Sequence, residues 1–141
     1  MRIFSLSAAI FAALLIARAP ARAGDAASDH SPGTSVEMPY LIAPVVVNGT
    51  LVANAYIMTK IITTSPAATI TVRERLPFIQ DAYVRDVNAT PIGKPSDPAT
   101  VDGPALAVRL LADARRIVGR DRVMTVDIYR IQNVQLHIRA H

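Results

Sequence analysis

Side chains that bind metals or transfer protons are few in this sequence, and their spacing offers little for catalysis. The chain has three histidines and no cysteine. His30 lies near the N-terminus, whereas His137 and His141 lie at the C-terminal end. Zinc sites bring several ligands together at characteristic spacings, and only the C-terminus offers even a pair. We therefore predict no metal ion and no cofactor, with the His137/His141 terminus as the one alternative site.

Nucleophile and acid–base arrangements do not emerge from the sequence either. There is no Gly-x-Ser-x-Gly turn, and residues 93–98 lack the spacing of a phosphate-binding loop. Asp81 and Asp86 are five residues apart, so they do not share a helix face. Asp81 and Arg85 do share one, which predicts a surface salt bridge rather than an acid–base pair. We predict no catalytic residues and a protein that is not an enzyme.

The N-terminal segment has the pattern of a cleavable signal peptide. Arg2 supplies the positive start, residues 3–17 are apolar, and Ala21-Arg22-Ala23 is a small-x-small cleavage site. We predict a signal peptide over residues 1–23, a mature chain that begins at Gly24, and a periplasmic location.

The alternative is an uncleaved anchor that holds the domain at the inner membrane, facing the periplasm. Arg18 and Pro20 interrupt the apolar run before it reaches the length of about 20 residues that a spanning helix needs. Contact with a membrane is expected only in that case. The charge balance also depends on this segment, because three of the 15 basic residues lie in it and 12 remain against 11 acidic ones. A nearly neutral domain has little attraction for nucleic acid, so we predict no nucleic-acid partner.

Residues 24–38 are small and polar, which predicts a flexible leader before a single domain over residues 39–141. In this domain Asn48-Gly49 separates two apolar runs and predicts a β-hairpin with a type I′ turn. Pro44 has no N–H to donate, so the first strand is expected at a sheet edge. A long second strand follows, up to Thr63.

Alternation along the second strand separates two faces. Odd-numbered residues from Leu51 to Ile61 are expected to face the core. The opposite face is more apolar than a solvated surface requires. We interpret it as a candidate partner interface, with a covering loop as the alternative; its apolar residues are Val52, Tyr56, Met58 and Ile62.

Two helices are predicted after the hairpin. Ser65-Pro66 is typical of a helix start, and Pro77 predicts a kink or a restart. The β propensity of residues 69–72 leaves residues 66–75 open between helix and strand. Residues 90–101 contain three prolines and predict a loop. A second helix then runs from an N-cap at Asp102 to a stop at Gly119.

The last segment alternates as a strand but changes phase, which predicts a β-bulge near Arg130 to Asn133. Met124, Val126 and Ile128 share one parity, Tyr129 and Ile131 take the other, and a second change returns to the first parity at Val134, Leu136 and Ile138. The predicted fold is α+β: a small antiparallel sheet of about three strands, the hairpin plus the long C-terminal strand, packed against two helices.

These elements and four segments resemble the periplasmic domain of the flagellar basal-body-associated FliL family, whose fold is similar to stomatin-like domains. The resemblance covers most of residues 40–135. It is carried by PVVVNG at residues 44–49, the strand at residues 55–63, LPFIQDA at residues 76–82 and the strand at residues 123–132.

The resemblance implies a non-enzymatic protein that forms rings or other oligomers around stator units of the flagellar motor and modulates torque. Family members keep an N-terminal transmembrane helix, whereas this chain is predicted to lose its apolar segment. We therefore predict an exported interaction or scaffold domain whose partner is a protein, either an inner-membrane complex such as the flagellar motor or a second copy. The alternative is a small secreted ligand-binding domain or an unrecognised enzyme that holds an anion with Arg73, Arg75 or Arg85.

Overall fold

The computed structural model describes residues 34–136, which form an α+β fold, as predicted. The predicted signal peptide, residues 24–33 of the predicted leader and all three histidines lie outside the described residues. In chain order the elements are β1 (Ser35–Glu37), β2 (Leu41–Val47), β3 (Thr50–Thr63), α1 (Pro66–Glu74), α2 (Leu76–Ala89), β4 (Gly93–Lys94), β5 (Asp97–Val101), α3 (Gly103–Val118) and β6 (Val123–Gln135).

The main sheet is built around β3, with which every other strand of the sheet pairs in antiparallel orientation. β6 pairs along one edge of β3, while β2 and β1 follow one another along the other edge. The predicted hairpin is confirmed, since Asn48 and Gly49 have φ of 50° and 78° and Val47 pairs with Thr50. β2 is accordingly an edge strand, as Pro44 predicted.

The predicted leader ends earlier than expected, because Ser35–Glu37 forms β1. Val36 pairs with Ile61 and is 4% exposed, and Met38 is 7% exposed. The Met38 N–H donates to the Thr59 carbonyl at 3.0 Å and continues the pairing towards β2. Hydrogen bonding to β3 and burial of two apolar side chains thus order a stretch whose composition is otherwise polar.

A β-bulge near the hairpin corrects the predicted core face of β3. The register shifts between Val45, which pairs with Ala53, and Val46, which pairs with Leu51. Val52 is therefore the extra residue of the bulge. As a result, the side chain of Leu51 lies on the opposite face of the sheet from that of Ala53. Leu51 is accordingly 40% exposed, whereas Ile57 is fully buried.

Residues 66–75, left open by the sequence, form α1 and the junction to α2. Ser65 accepts a hydrogen bond from the Ala68 N–H at 3.1 Å and caps the helix, as predicted. The β-branched Thr69 fits inside because its hydroxyl lies 2.6 Å from that of Thr63. The chain restarts at Leu76, and Pro77 occupies the first turn of α2.

The predicted loop at residues 90–101 contains a small hairpin, β4–β5, so the prediction of a loop without strands is wrong. Gly93 is the reason it closes tightly, because a Cβ there would collide with the carbonyl of Pro98. Ile92 and Val101 are buried beneath it.

The predicted bounds of the second helix are confirmed in α3. Asp102 accepts a hydrogen bond from the Ala105 N–H at 3.1 Å, and Gly119 ends the helix with φ of 106°. The side of α3 that packs on the core is fully or almost fully buried and consists of Leu106, Leu110, Ala114 and Val118.

Candidate functional site

The side of the sheet opposite the buried row Ala53, Ala55 and Ile57 is called the outer face here. Of the four predicted interface residues, Tyr56 and Met58 are half-buried and lie on this face of β3. Val52 is the extra residue of the bulge; it is half-buried and packs against the core, which corrects its assignment to the interface. The fourth is likewise a correction, because Ile62 lies between Ser35 of β1 and Thr125 of β6 and is 1% exposed. Ile62 is therefore not available to a partner.

A shallow groove of about 450 Å3 crosses the outer face at Tyr56. Ile42 of β2 and Gln132 of β6 pair with Tyr56 from the two sides, which places all three side chains in one row. Tyr40 is 61% exposed and Ile42 is 50% exposed. We call this the outer-face groove; it is lined by Tyr40, Ile42, Tyr56, Gln132 and Val134.

The contribution of β6 to this groove follows from its β-bulges. One lies at Tyr129, between Ile128 and Arg130, just before the predicted position, and another lies at Met124. No further shift occurs after Arg130, so Val134 pairs with Asn54 on the outer face instead of returning to the core. The two apolar residues that the sequence grouped by parity with Val126 and Ile128 are 38–43% exposed there; they are Val134 and Leu136.

Polar and charged groups border the apolar part of the outer face. Lys60 forms a salt bridge with Asp127 at 3.2 Å, and its ammonium lies 5.8 Å from the centre of the Tyr129 ring. An apolar centre with a polar border is the usual anatomy of a protein–protein interface.

A second cluster, which the sequence did not predict, joins α2 to α3. Two nitrogens of Arg109 donate to one oxygen of Asp86, at 2.6 and 3.0 Å. The same guanidinium donates to the carbonyls of Thr90 and Pro91, at 3.3 and 2.9 Å, just past the end of α2. Arg109 therefore ties the end of one helix to the side of the other, with its side chain 27% exposed.

Asp113 on α3 lies in the same cluster and bonds Arg116 at 2.8 Å. Burial raises the pKa of the Asp113 carboxyl, with Asp86 adding to the rise and Arg116 and Arg109 opposing it. Burial, and secondarily the charge of Asp113, raises the pKa of Tyr83, whose buried hydroxyl has no hydrogen-bond partner within the described part of the chain. Because the pKa of Asp113 is raised in the folded protein, the ionised Asp113 carboxylate lowers the stability of the fold at neutral pH.

Asp113→Asn is expected to gain stability over the natural chain as the pH rises. The folded state keeps the proton on Asp113 to a higher pH than the unfolded chain, so folding is favoured below the ordinary pKa of 3.8. That stability is lost as the pH rises through the raised pKa of the folded state, and the asparagine variant avoids the loss. Melting temperatures of both proteins across the acidic range measure the effect. A difference in melting temperature that stayed constant with pH would contradict the assignment.

The arginines of the ligand-binding alternative do not converge. Arg85 forms the predicted surface salt bridge with Asp81 at 2.7 Å, and Arg75 stacks over Phe78 at 5.7 Å. Arg73 is exposed on α1, and the groove between α2 and α3 that Arg85 lines contains neither Arg73 nor Arg75.

Neither a family model nor a curated protein matches this chain. Over residues 34–136, no group of three or more His, Cys, Asp and Glu residues is arranged to hold a metal ion. Within the same residues, the helices are too short or too polar to cross a membrane.

Proposed function

We propose that this chain is an exported, non-enzymatic interaction domain that binds a partner protein through the outer-face groove. The observation that carries the proposal is the exposure of apolar side chains from three strands around one row of the sheet, Ile42–Tyr56–Gln132. Exposed apolar patches with a polar border are a mark of interaction surfaces.

The groove is suited to an apolar side chain of a partner. Tyr40 and Tyr56 offer rigid rings with polar tips, and tyrosine is enriched among residues that dominate binding energy. Covering an apolar side chain the size of Ile42 contributes about 1.5–3 kcal/mol when burial is complete. Lys60 and Asp127 at the border add charge selectivity rather than affinity.

The resemblance to the FliL family supports an inner-membrane complex, such as the flagellar motor, as the source of the partner. Export through the predicted signal peptide is part of this proposal, because it would bring the domain to the side of the membrane on which such a complex is reached. The resemblance supports the choice of partner, whereas the groove supports the existence of a binding surface.

Site-specific photo-crosslinking tests the proposal. A photoreactive phenylalanine analogue at Tyr56 is expected to capture a partner in exporting cells, whereas the same analogue at Ile70 is not. Ile70 is a matched control because it is 60% exposed and apolar but lies on α1. The captured protein is then purified and titrated against the natural chain and Tyr56→Glu.

Tyr56→Glu is expected to weaken binding of that purified partner about 30-fold or more, which corresponds to the loss of about 2 kcal/mol typical of a hot-spot residue. Equal crosslinking from Tyr56 and Ile70, or equal affinity of the natural chain and Tyr56→Glu, would overturn the proposal. Circular dichroism of the glutamate variant separates loss of binding from loss of folding.

A further inference from the structure

The free edge of the sheet is formed by β6. The Leu136 N–H donates to the Val52 carbonyl at 3.1 Å, and the Thr59 carbonyl accepts from Met38 on the opposite side of β3. Because backbone groups alternate in an antiparallel ladder, even-numbered residues of β3 bond to β6. The other residues of β6 pair with odd-numbered residues of β3, and their N–H and C=O groups point away from β3. These residues are Val126, Ile128, Ile131, Asn133 and Gln135.

Only the beginning of this edge is covered by described residues. Arg115 of α3 donates to the carbonyls of Val123 and Met124, at 3.0 Å each. Beyond Met124, no strand among residues 34–136 pairs with the outer side of β6. A long open edge can pair with another strand, and β6 contains no proline or lysine. Its two β-bulges and its charged side chains restrict the registers in which a strand can pair with it.

The space beside the edge fits an added strand. A groove of about 270 Å3 runs between β6 and the first turns of α3, where Gly103, Pro104 and Ala107 form a low wall. The opposite side is formed by Val126, Asp127, Ile128 and Ile131. Side chains from a strand paired with β6 would pack against this apolar wall on the helix side of the sheet.

The charged side chains of β6 indicate which strand would pair with its open edge. The bulge at Tyr129 changes the alternation, so Asp127 and Arg130, three residues apart, both lie on the outer face. A two-fold axis through the bulge would bring Asp127 of one copy beside Arg130 of the other, and the reverse. Asp127 also bonds Lys60 of its own chain at 3.2 Å, so in the dimer its carboxylate would lie between Lys60 and the Arg130 of the second copy. The edge is self-complementary in charge in this register, as a symmetric interface between identical chains requires.

We infer that two copies of this chain associate through antiparallel pairing of β6 with β6, which makes one continuous sheet across the dimer. Val126, Ile128 and Ile131 of each copy lie on the helix side of this junction, and the Asp127–Arg130 contacts lie on the outer side. Two residues of the outer-face groove, Gln132 and Val134, lie on β6 beside this junction, whereas Tyr40, Ile42 and Tyr56 lie on the far side of β6 from the second copy and stay accessible.

Ile131→Pro in the full chain, purified from an exporting host, tests the pairing. Ile131 opposes Ile57 of β3, so its N–H points away from β3 and, in the register that joins Asp127 to Arg130, towards Val126 of the second copy; proline therefore removes a donor to the second copy and none to β3. Ile131→Val is the matched control because it keeps the N–H and an apolar side chain. Sedimentation equilibrium is expected to show a concentration-dependent dimer for the natural chain and for Ile131→Val, and at least tenfold weaker dimerisation for Ile131→Pro.

Arg130→Asp is the second variant, used in case proline disturbs folding. It brings like charges together across the two-fold axis and is expected to weaken the dimer at low salt more than at high salt. A monomeric natural chain, or dimers of equal affinity for the natural chain and both test variants, would overturn the inference. Tyr56→Glu is expected to leave the dimer intact, so failure of dimerisation and failure of partner binding are distinguishable.

Discussion

Arg109→Ala is expected to lower the free energy of unfolding by about 2–4 kcal/mol, the range for removing one partner of a largely buried ion pair. The Arg109 side chain is 27% exposed and that of Asp86 is 18% exposed, so water screens the pair only in part. The substitution leaves Asp86 facing Asp113 without its counter-charge and also leaves the Thr90 and Pro91 carbonyls without their donor. Urea unfolding at neutral pH measures the loss.

Two companion variants separate the causes. Arg116→Ala removes an ion pair whose arginine is 70% exposed, and it is expected to cost no more than about 1 kcal/mol. Adding Asp86→Asn to Arg109→Ala is expected to recover part of the loss, because the stranded charge disappears. A loss for Arg109→Ala no larger than that for Arg116→Ala would show that Arg109 does not tie α2 to α3.

The elements that the sequence predicts well are those set by local chemistry. Asn48-Gly49 satisfies the positive φ of a two-residue turn, and Ser65-Pro66 starts α1. Asp102 and Gly119 likewise begin and end α3. In each case the residue type satisfies backbone groups within a few positions, so no knowledge of distant partners is needed.

Elements that depend on distant partners were missed. β1 forms because Val36 pairs with Ile61, which is 25 residues away in the chain. The residues around Val36 are polar, so their composition does not indicate this pairing. The Arg109–Asp86 bond likewise joins residues that are 23 positions apart on different helices. Charged residues on a solvated helix face and charged residues that form an ion pair between two helices are of the same types. Only the packing of α2 on α3 distinguishes the two cases here.

In the outer-face groove, too, the sequence predicts what depends on a single strand and does not predict what depends on the pairing of strands. Alternation along β3 identified Tyr56 as outward-facing, because that is a property of one strand. Tyr40 and Ile42 were not predicted, since their place beside Tyr56 depends on the β2 register. Val134 was assigned to the other face, because a second change of parity in the sequence does not correspond to a bulge in β6.

Leu51 and Ile57 test directly how a bulge overrides alternation. Simple alternation places both side chains in the core, but the extra residue at Val52 turns Leu51 to the outer face. Ile57→Ala is expected to lower the free energy of unfolding by about 2–5 kcal/mol, since it opens a cavity beneath a fully buried side chain.

Leu51→Ala removes a side chain that is 40% exposed near the hairpin turn, so its expected cost is about 0.5–1 kcal/mol. Denaturant unfolding of both variants under one set of conditions gives the contrast. Equal losses at the two positions would mean that Leu51 is a core residue after all and that the strand alternates without the bulge. A large difference would instead place Leu51 beside Val46 on the outer face, where it adds to the apolar surface that we propose a partner covers.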